Sequence, residues 1–156
     1  MDFNLIDTTP MAADFGQVWQ GSTPDAAGIA TIPGPLVIVC MEPEPNEQFV
    51  DHVRVHSELY VGIEDDPSSV VPDSVLRGLA DAALAFLSKG FNLYVHCAAG
   101  VSRASYVDCA IHQRQLGWTF DQALAYVRAS RPQANPNSGF VAQLDRLGPL
   151  LSGART

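Results

Sequence analysis

The chain has 156 residues, 17 of them acidic and 9 basic, for a formal net charge of −8, and 47% are apolar. A chain of this length hides roughly 70% of the surface its unfolded form exposes, so one domain with a sizeable core is expected and extended disorder is excluded. The acid surplus argues against coating nucleic acid or an anionic membrane, no apolar run approaches the ~20 residues of a membrane span, and Met1 to Pro10 lacks the basic and apolar regions of a secretory leader.

Residues 1–35 are rich in Pro, Gly and Thr, with one short strand-like run, Gln17 to Gln20; residues 1–16 read as a peripheral N-terminal segment of a single domain covering 1–156. Leu36 to Cys40 is an apolar run of buried-strand type. A polar loop with two prolines follows over residues 41–52. Val53 to Val55 and Glu58 to Ile63 are strand-like, and Asp65 to Ser69 is a loop. Asp73 is placed to cap a helix reaching Ser88, with Leu76, Leu79, Ala80, Ala83, Leu84 and Leu87 at helical spacing and Gly90 as its stop. Phe91 to His96 is a second buried strand. Helices are expected over Ser102 to Leu116, closed by Gly117, and over Phe120 to Ser130, where Thr119 and Gln122 have capping-box spacing. A last helix runs from Ser138 to Leu147. Strands alternating with helices imply an α/β fold with a central, largely parallel sheet of four to five strands flanked by helices.

The three cysteines, Cys40, Cys97 and Cys109, are too few and scattered for a disulfide scaffold, which points to a reducing, cytoplasmic setting. His96 and Cys97 are sequence neighbours and cannot easily share one metal, so no metal site is expected.

The informative segment runs from Tyr94 to Arg103. A strand ends, a short loop follows and a helix begins, which is where α/β folds hold anions. Backbone N–H groups around Ala98, Ala99, Gly100, Val101, Ser102 and Arg103 can converge on a tetrahedral oxyanion. Gly100 lets the loop turn tightly. Arg103, six residues after Cys97, can return and bind two oxygens. Cys97 then lies at the floor of an electropositive cup, where the helix dipole, the N–H groups and Arg103 favour a nucleophilic thiolate. Taken as a bare pair, a Cys and an Arg at this spacing fit an ordinary core cysteine better; the whole string between strand and helix favours chemistry.

The string His96-Cys97-Ala98-Ala99-Gly100-Val101-Ser102-Arg103 resembles the phosphate-binding loop of cysteine-based protein tyrosine phosphatases, specifically their dual-specificity branch. Tyr60 to Asp65 is similar to that family's strand leading into its general-acid loop. Arg131 to Phe140, with Gln143-Leu144, is similar to the segment after its penultimate helix, and Val18-Trp19 with Gly21-Ser22 is weakly similar to its first strand and turn. The resemblance implies that Cys97 attacks phosphorus, that Arg103 holds the phosphoryl group, and that an aspartate about thirty residues upstream is the general acid and then the base for water. Asp65 fits that register better than its alternate, Asp66. It further implies that His96 orients the loop and that Asn137 fixes loop geometry. Some members pair the nucleophile with a second cysteine in a reversible disulfide, and Cys40 stands at a similar place.

One departure concerns the residue after the loop arginine. The family usually has Ser or Thr there, a hydroxyl that assists release of the thiolate from the phosphocysteine; here it is Ala104. Ser105, one position on, faces elsewhere on the helix. Without that hydroxyl the second step should slow, which leaves open a slow phosphopeptide-binding module. The bare loop residues Ala98, Ala99 and Val101 disfavour phosphoinositides. The same lack of bases, with the net charge of −7 over residues 42–66, disfavours RNA 5′-phosphates. A phosphorylated protein with basic flanking residues fits better, given that family topology puts Glu42 to Glu47 beside the cleft. Sulfur-transfer and arsenate-reducing enzymes also use Cys loops, but their loop length or Cys position differs. The expected enzyme is a phosphatase acting on phosphotyrosine and phosphoserine or phosphothreonine, needing no cofactor.

Overall fold

The computed structural model describes residues 1–49 and 51–153. Five strands form one sheet: β1 (Phe3–Ile6), β2 (Val18–Gly21), β3 (Leu36–Cys40), β4 (Val55–Tyr60) and β5 (Asn92–His96), in the order β1-β2-β5-β3-β4. All neighbours are parallel except the edge strand β1, which runs antiparallel to β2. The parallel strands β3 and β5 are buried at every position, as central strands covered on both faces are.

Residue parity assigns the faces. Val37, Val39, Leu93 and Val95 join the main core with the helices α2 (Asp73–Ser88), α3 (Arg103–Leu116), α4 (Phe120–Ser130) and α5 (Ser138–Leu147). Leu36, Ile38, Cys40 and Tyr94 point to the other face, covered by Ile29 of the short α1 (Ala26–Ile29), Ile32 and Phe49. The apolar stripe read along α2 is the face it buries, and Leu76 and Leu87 are fully enclosed; such a leucine contributes about 1.5–3 kcal/mol. A short α6 (Leu150–Gly153) follows α5.

Local signals set most boundaries. Gly117 ends α3 in the left-handed region at φ 67°, and the Thr119/Gln122 capping box starts α4 as expected. Asp73 is not a cap. Pro72 holds that position with no side-chain bond, and Asp73 begins the helix, bonding Arg146 at 2.9 and 3.0 Å and Gln143 at 2.9 Å. The two strand-like runs around residue 56 form one edge strand, β4, while Val53 is 95% exposed. The N-terminal segment read as peripheral contributes β1 at the sheet edge, with Ile6 buried.

Candidate active site

The segment between β5 and α3 is tied from behind by its carbonyls. Ala98 O accepts from Thr23 N at 3.1 Å, and Val101 O from Asn135 N at 2.8 Å and Ser105 Oγ at 2.6 Å. Ala99 O accepts from Arg131 Nη2 at 3.1 Å, and Gly100 O from Arg131 Nε at 2.7 Å and Gln20 Nε2 at 3.2 Å. With the carbonyls of Ala98 to Val101 engaged, the N–H groups that follow them across each trans peptide, those of Ala99 to Ser102, point the opposite way, and no N–H from Ala98 to Ser102 donates to a described residue. Gly100 turns the loop at φ 69°, where a Cβ would lie 2.3 Å from the Gly21 carbonyl carbon, so both backbone angle and space require glycine.

Cys97 is 3% exposed, and its Sγ accepts from the Ala104 N–H at 3.4 Å, in the first turn of α3. Arg103 Nη1 donates to Ile63 O at 2.9 Å, and its buried Nε has no partner among the described residues. A buried guanidinium N–H without an acceptor is costly unless something else supplies one.

Asp65 reaches the loop and Asp66 does not. Asp65 Oδ1 accepts from Ser102 Oγ at 2.6 Å and from Asn137 Nδ2 at 2.9 Å, and Ser102 Oγ in turn accepts from Asn137 N at 2.9 Å. Two donors on one oxygen leave Oδ2 open. Asn137 is also the cap of α5, its Oδ1 accepting from Gly139 N and Phe140 N at 3.0 and 3.1 Å. Asp66 instead turns its own loop; the Ser68 hydroxyl, then the Ser68 amide, hold its pKa below the usual carboxylate value.

Cys40 is not brought to Cys97. It opposes His96 in the β3/β5 register, on the sheet face away from Cys97, and the two belong to different core clusters. Burial pushes the Cys40 thiol up to about 12, and all three cysteines are free. Met41, not Cys40, shares the Cys97 cluster. Cys109 is fully buried in α3, which raises its thiol well above the ordinary value.

His96 is fully buried, with Nδ1 3.0 Å from Glu42 Oε2, close but off the line of a straight hydrogen bond. Glu42 is held by Thr23 Oγ1 at 2.9 and 3.0 Å, so Thr23 ties this carboxylate to the loop. An open groove of about 410 Å³ lies alongside, lined by Thr23, Glu42, Glu44 and Gln48 among others.

Sequence reasoning assigned no role to Arg131, Gln20 or Thr23. Arg131 is the largest fully buried side chain; besides the two loop carbonyls it binds Asn4 Oδ1 at 2.8 Å and Asp2 Oδ2 at 3.2 Å. Its one legible signal was an arginine directly before proline in the segment resembling the family's tail. Its acidic partner lies 129 residues away and gave none.

The segment between β5 and α3 thus gathers loop N–H groups without a described acceptor, the Cys97 thiol and the buried Arg103 Nε at one helix N-terminus. The family model for the dual specificity phosphatase catalytic domain matches residues 33–148. This chain belongs to that family. It is 41% identical to human dual specificity protein phosphatase 15 over 117 residues, covering 72% of this chain and 36% of that protein. It is 38% identical to rat protein phosphatase Slingshot homolog 3 over 68 residues, 44% of this chain and 10% of that one. The chain thus spans from a tenth to about a third of these curated relatives. Among solved structures, a mouse putative dual specificity phosphatase complexed with zinc tungstate superposes with a TM-score of 0.77 at 26% identity, covering 97% of this chain and 89% of that one. Among the described residues, no helix is long and apolar enough to cross a membrane.

Proposed function

We propose that this chain is a protein phosphatase that hydrolyses phosphotyrosine and phosphoserine or phosphothreonine through a phosphocysteine. The observation that carries the reading is the cup itself: loop N–H groups from Ala98 to Ser102 with no protein acceptor, and a buried Arg103 Nε with none, around Cys97. A phosphoryl group brings three oxygens that satisfy these donors, and their stabilisation grows as charge develops on the equatorial oxygens.

The Cys97 thiolate attacks phosphorus, the bond to the leaving oxygen breaks, and Asp65 Oδ2 gives that oxygen its proton. The resulting carboxylate then takes a proton from water. Water oxygen bonds phosphorus, the P–S bond breaks, and the pair returns to Cys97 as inorganic phosphate departs. Ser102 and Asn137 support this assignment by holding Asp65 at Oδ1. The Glu42 and Glu44 groove supports a phosphoprotein carrying basic residues near the phosphorylated one. A reducing cytoplasmic compartment suits three free thiols.

Hydrolysis of para-nitrophenyl phosphate by wild type, Cys97→Ser and Asp65→Asn tests the reading. Cys97→Ser should abolish turnover, and Asp65→Asn should cut it by about 10²-fold or more. Turnover by Cys97→Ser at the wild-type rate would refute it. Ala104 favours a second reading, a phosphopeptide-capturing module with slow release; binding without any Cys97-dependent hydrolysis would establish that instead.

A further inference from the structure

His96 is held on both edges of its ring. Nδ1 faces Glu42 Oε2 at 3.0 Å, and Nε2 lies 2.7 Å from Asn46 Nδ2. Which nitrogen carries the proton depends on which way the Asn46 amide points. Glu58 answers that. Its carboxylate, an acceptor only, takes Asn46 N at 3.0 and 3.2 Å and Asn46 Nδ2 at 3.0 Å. Flipping the amide would set Asn46 Oδ1 against a carboxylate oxygen with no proton between them. The NH₂ therefore faces Glu58, and its second hydrogen meets His96 Nε2, which must present its lone pair.

We propose that Asn46, oriented by Glu58, is a positioning residue for the nucleophile loop: it fixes the His96 proton on Nδ1 and locks the ring that immediately precedes Cys97. The other groups facing that ring agree with this arrangement. Glu42 offers only acceptor oxygens to Nδ1, and the Tyr94 ring lies 5.7 Å away on the same strand. Cys40, opposite His96 in the sheet, stays a neutral thiol. Burial lowers the imidazole's pKa against the opposing pull of Glu42, which keeps the ring uncharged. The relay joins three separate elements, the loop after β3, strand β4 and the end of β5, so edge residues far from Cys97 in sequence set the geometry of its peptide. The effect on rate rests on Cys97 being a phosphatase nucleophile; the effect on the His96 proton does not.

Long-range nitrogen–proton correlation NMR on ¹⁵N-histidine-labelled protein reads the proton directly. Wild type should show a neutral His96 protonated on Nδ1. Asn46→Asp puts an acceptor beside Nε2 and should move a proton there, while kcat on para-nitrophenyl phosphate falls about tenfold and KM stays within about twofold, because Arg103 and the loop N–H groups remain. Should Asn46→Asp not fold, Asn46→Ala, which removes the donor without adding charge, should give mixed tautomers and a smaller loss of kcat. A wild-type proton on Nε2 overturns the proposal, and so does a proton shift in either variant with kcat unchanged. An Nδ1-protonated wild type that hydrolyses no phosphate ester upholds the relay and sinks the phosphatase reading instead.

Discussion

Replacing Arg131 by methionine keeps most of the buried stem and removes the guanidinium. Four hydrogen bonds disappear: to Gly100 O, Ala99 O, Asn4 Oδ1 and Asp2 Oδ2. Bonds from a charged donor are worth about 1.5–3 kcal/mol each when the partner is stranded. Here the partners differ. Asp2 is 69% exposed and returns to water at little cost, and Gly100 O keeps Gln20. The loss should therefore be about 2–4 kcal/mol, below the simple sum, and a domain of this size falls roughly 2–4 °C per kcal/mol, giving a Tm drop of roughly 10 °C. The functional effect should be larger in kind. Without the clamp, Ala99 O loses its donor and Gly100 O keeps only Gln20, so the N–H cup loses its shape and inhibition by tungstate should weaken at least about tenfold, in line with lost oxyanion donors. Differential scanning calorimetry and tungstate inhibition of aryl phosphate hydrolysis measure both. Asp2→Asn is the control: it removes the exposed charge that faces Arg131 and Gln133, worth under about 1 kcal/mol, and should leave inhibition unchanged. A Tm within about 2 °C of wild type together with unchanged tungstate inhibition in Arg131→Met would refute the clamp.

Ala104→Ser should raise steady-state turnover on an aryl phosphate, and wild type should show a burst with trapped phosphoenzyme in rapid quench; Ser105 cannot substitute, since its hydroxyl donates to Val101 O and accepts from Gln20. Equal rates without a burst would count against a slow second step. Sodium chloride should weaken activity on a phosphopeptide with basic flanks and leave para-nitrophenyl phosphate untouched if the Glu42 and Glu44 groove recruits charge; parallel salt curves would exclude that. His112 gives a pH signature. Burial lowers its pKa, but the Asp108 bonds and charge outweigh that, and the net shift is upward. Its contribution is complete below the unfolded value of about 6.5 and is lost as pH rises through the higher folded value. Urea midpoints should fall between pH 6 and 8 more in wild type than in His112→Gln, and equal slopes would contradict the pairing.

What could be read in advance follows from locality. The loop from His96 to Arg103, the α4 capping box, the Gly117 stop and the α2 stripe each lie within one element, where neighbouring residues state the physics. The edge strands were harder. β1 is four residues with Asn4 inside and Leu5 44% exposed, and β4 has His56-Ser57-Glu58 at its centre, because an edge carries no full burial pattern. The Asp73 reading failed because an acid before a helix can serve a distant arginine as well as its own backbone. Arg131 with Asp2, and Glu58 with His96 through Asn46, are joined only by the sheet. Spacing along the chain holds no trace of them.

Strand parity also decides how the nucleophile meets oxidants. With Cys40 behind the sheet, the other described thiol in the Cys97 core cluster is Cys109, fully buried inside α3 five residues beyond Ala104, so a sulfenic acid at Cys97 meets no resolving thiol at Cys40. Peroxide should therefore carry Cys97 onward to the sulfinic state, or leave it for capping by a soluble thiol, and never trap it as a bond to Cys40. One residue of register separates the two fates: a thiol at Met41 would stand on the nucleophile's side. The alternation that buries Val37 and Val39 against the helices and Ile38 against α1 thus sets the reversibility of this site as firmly as it sets the core.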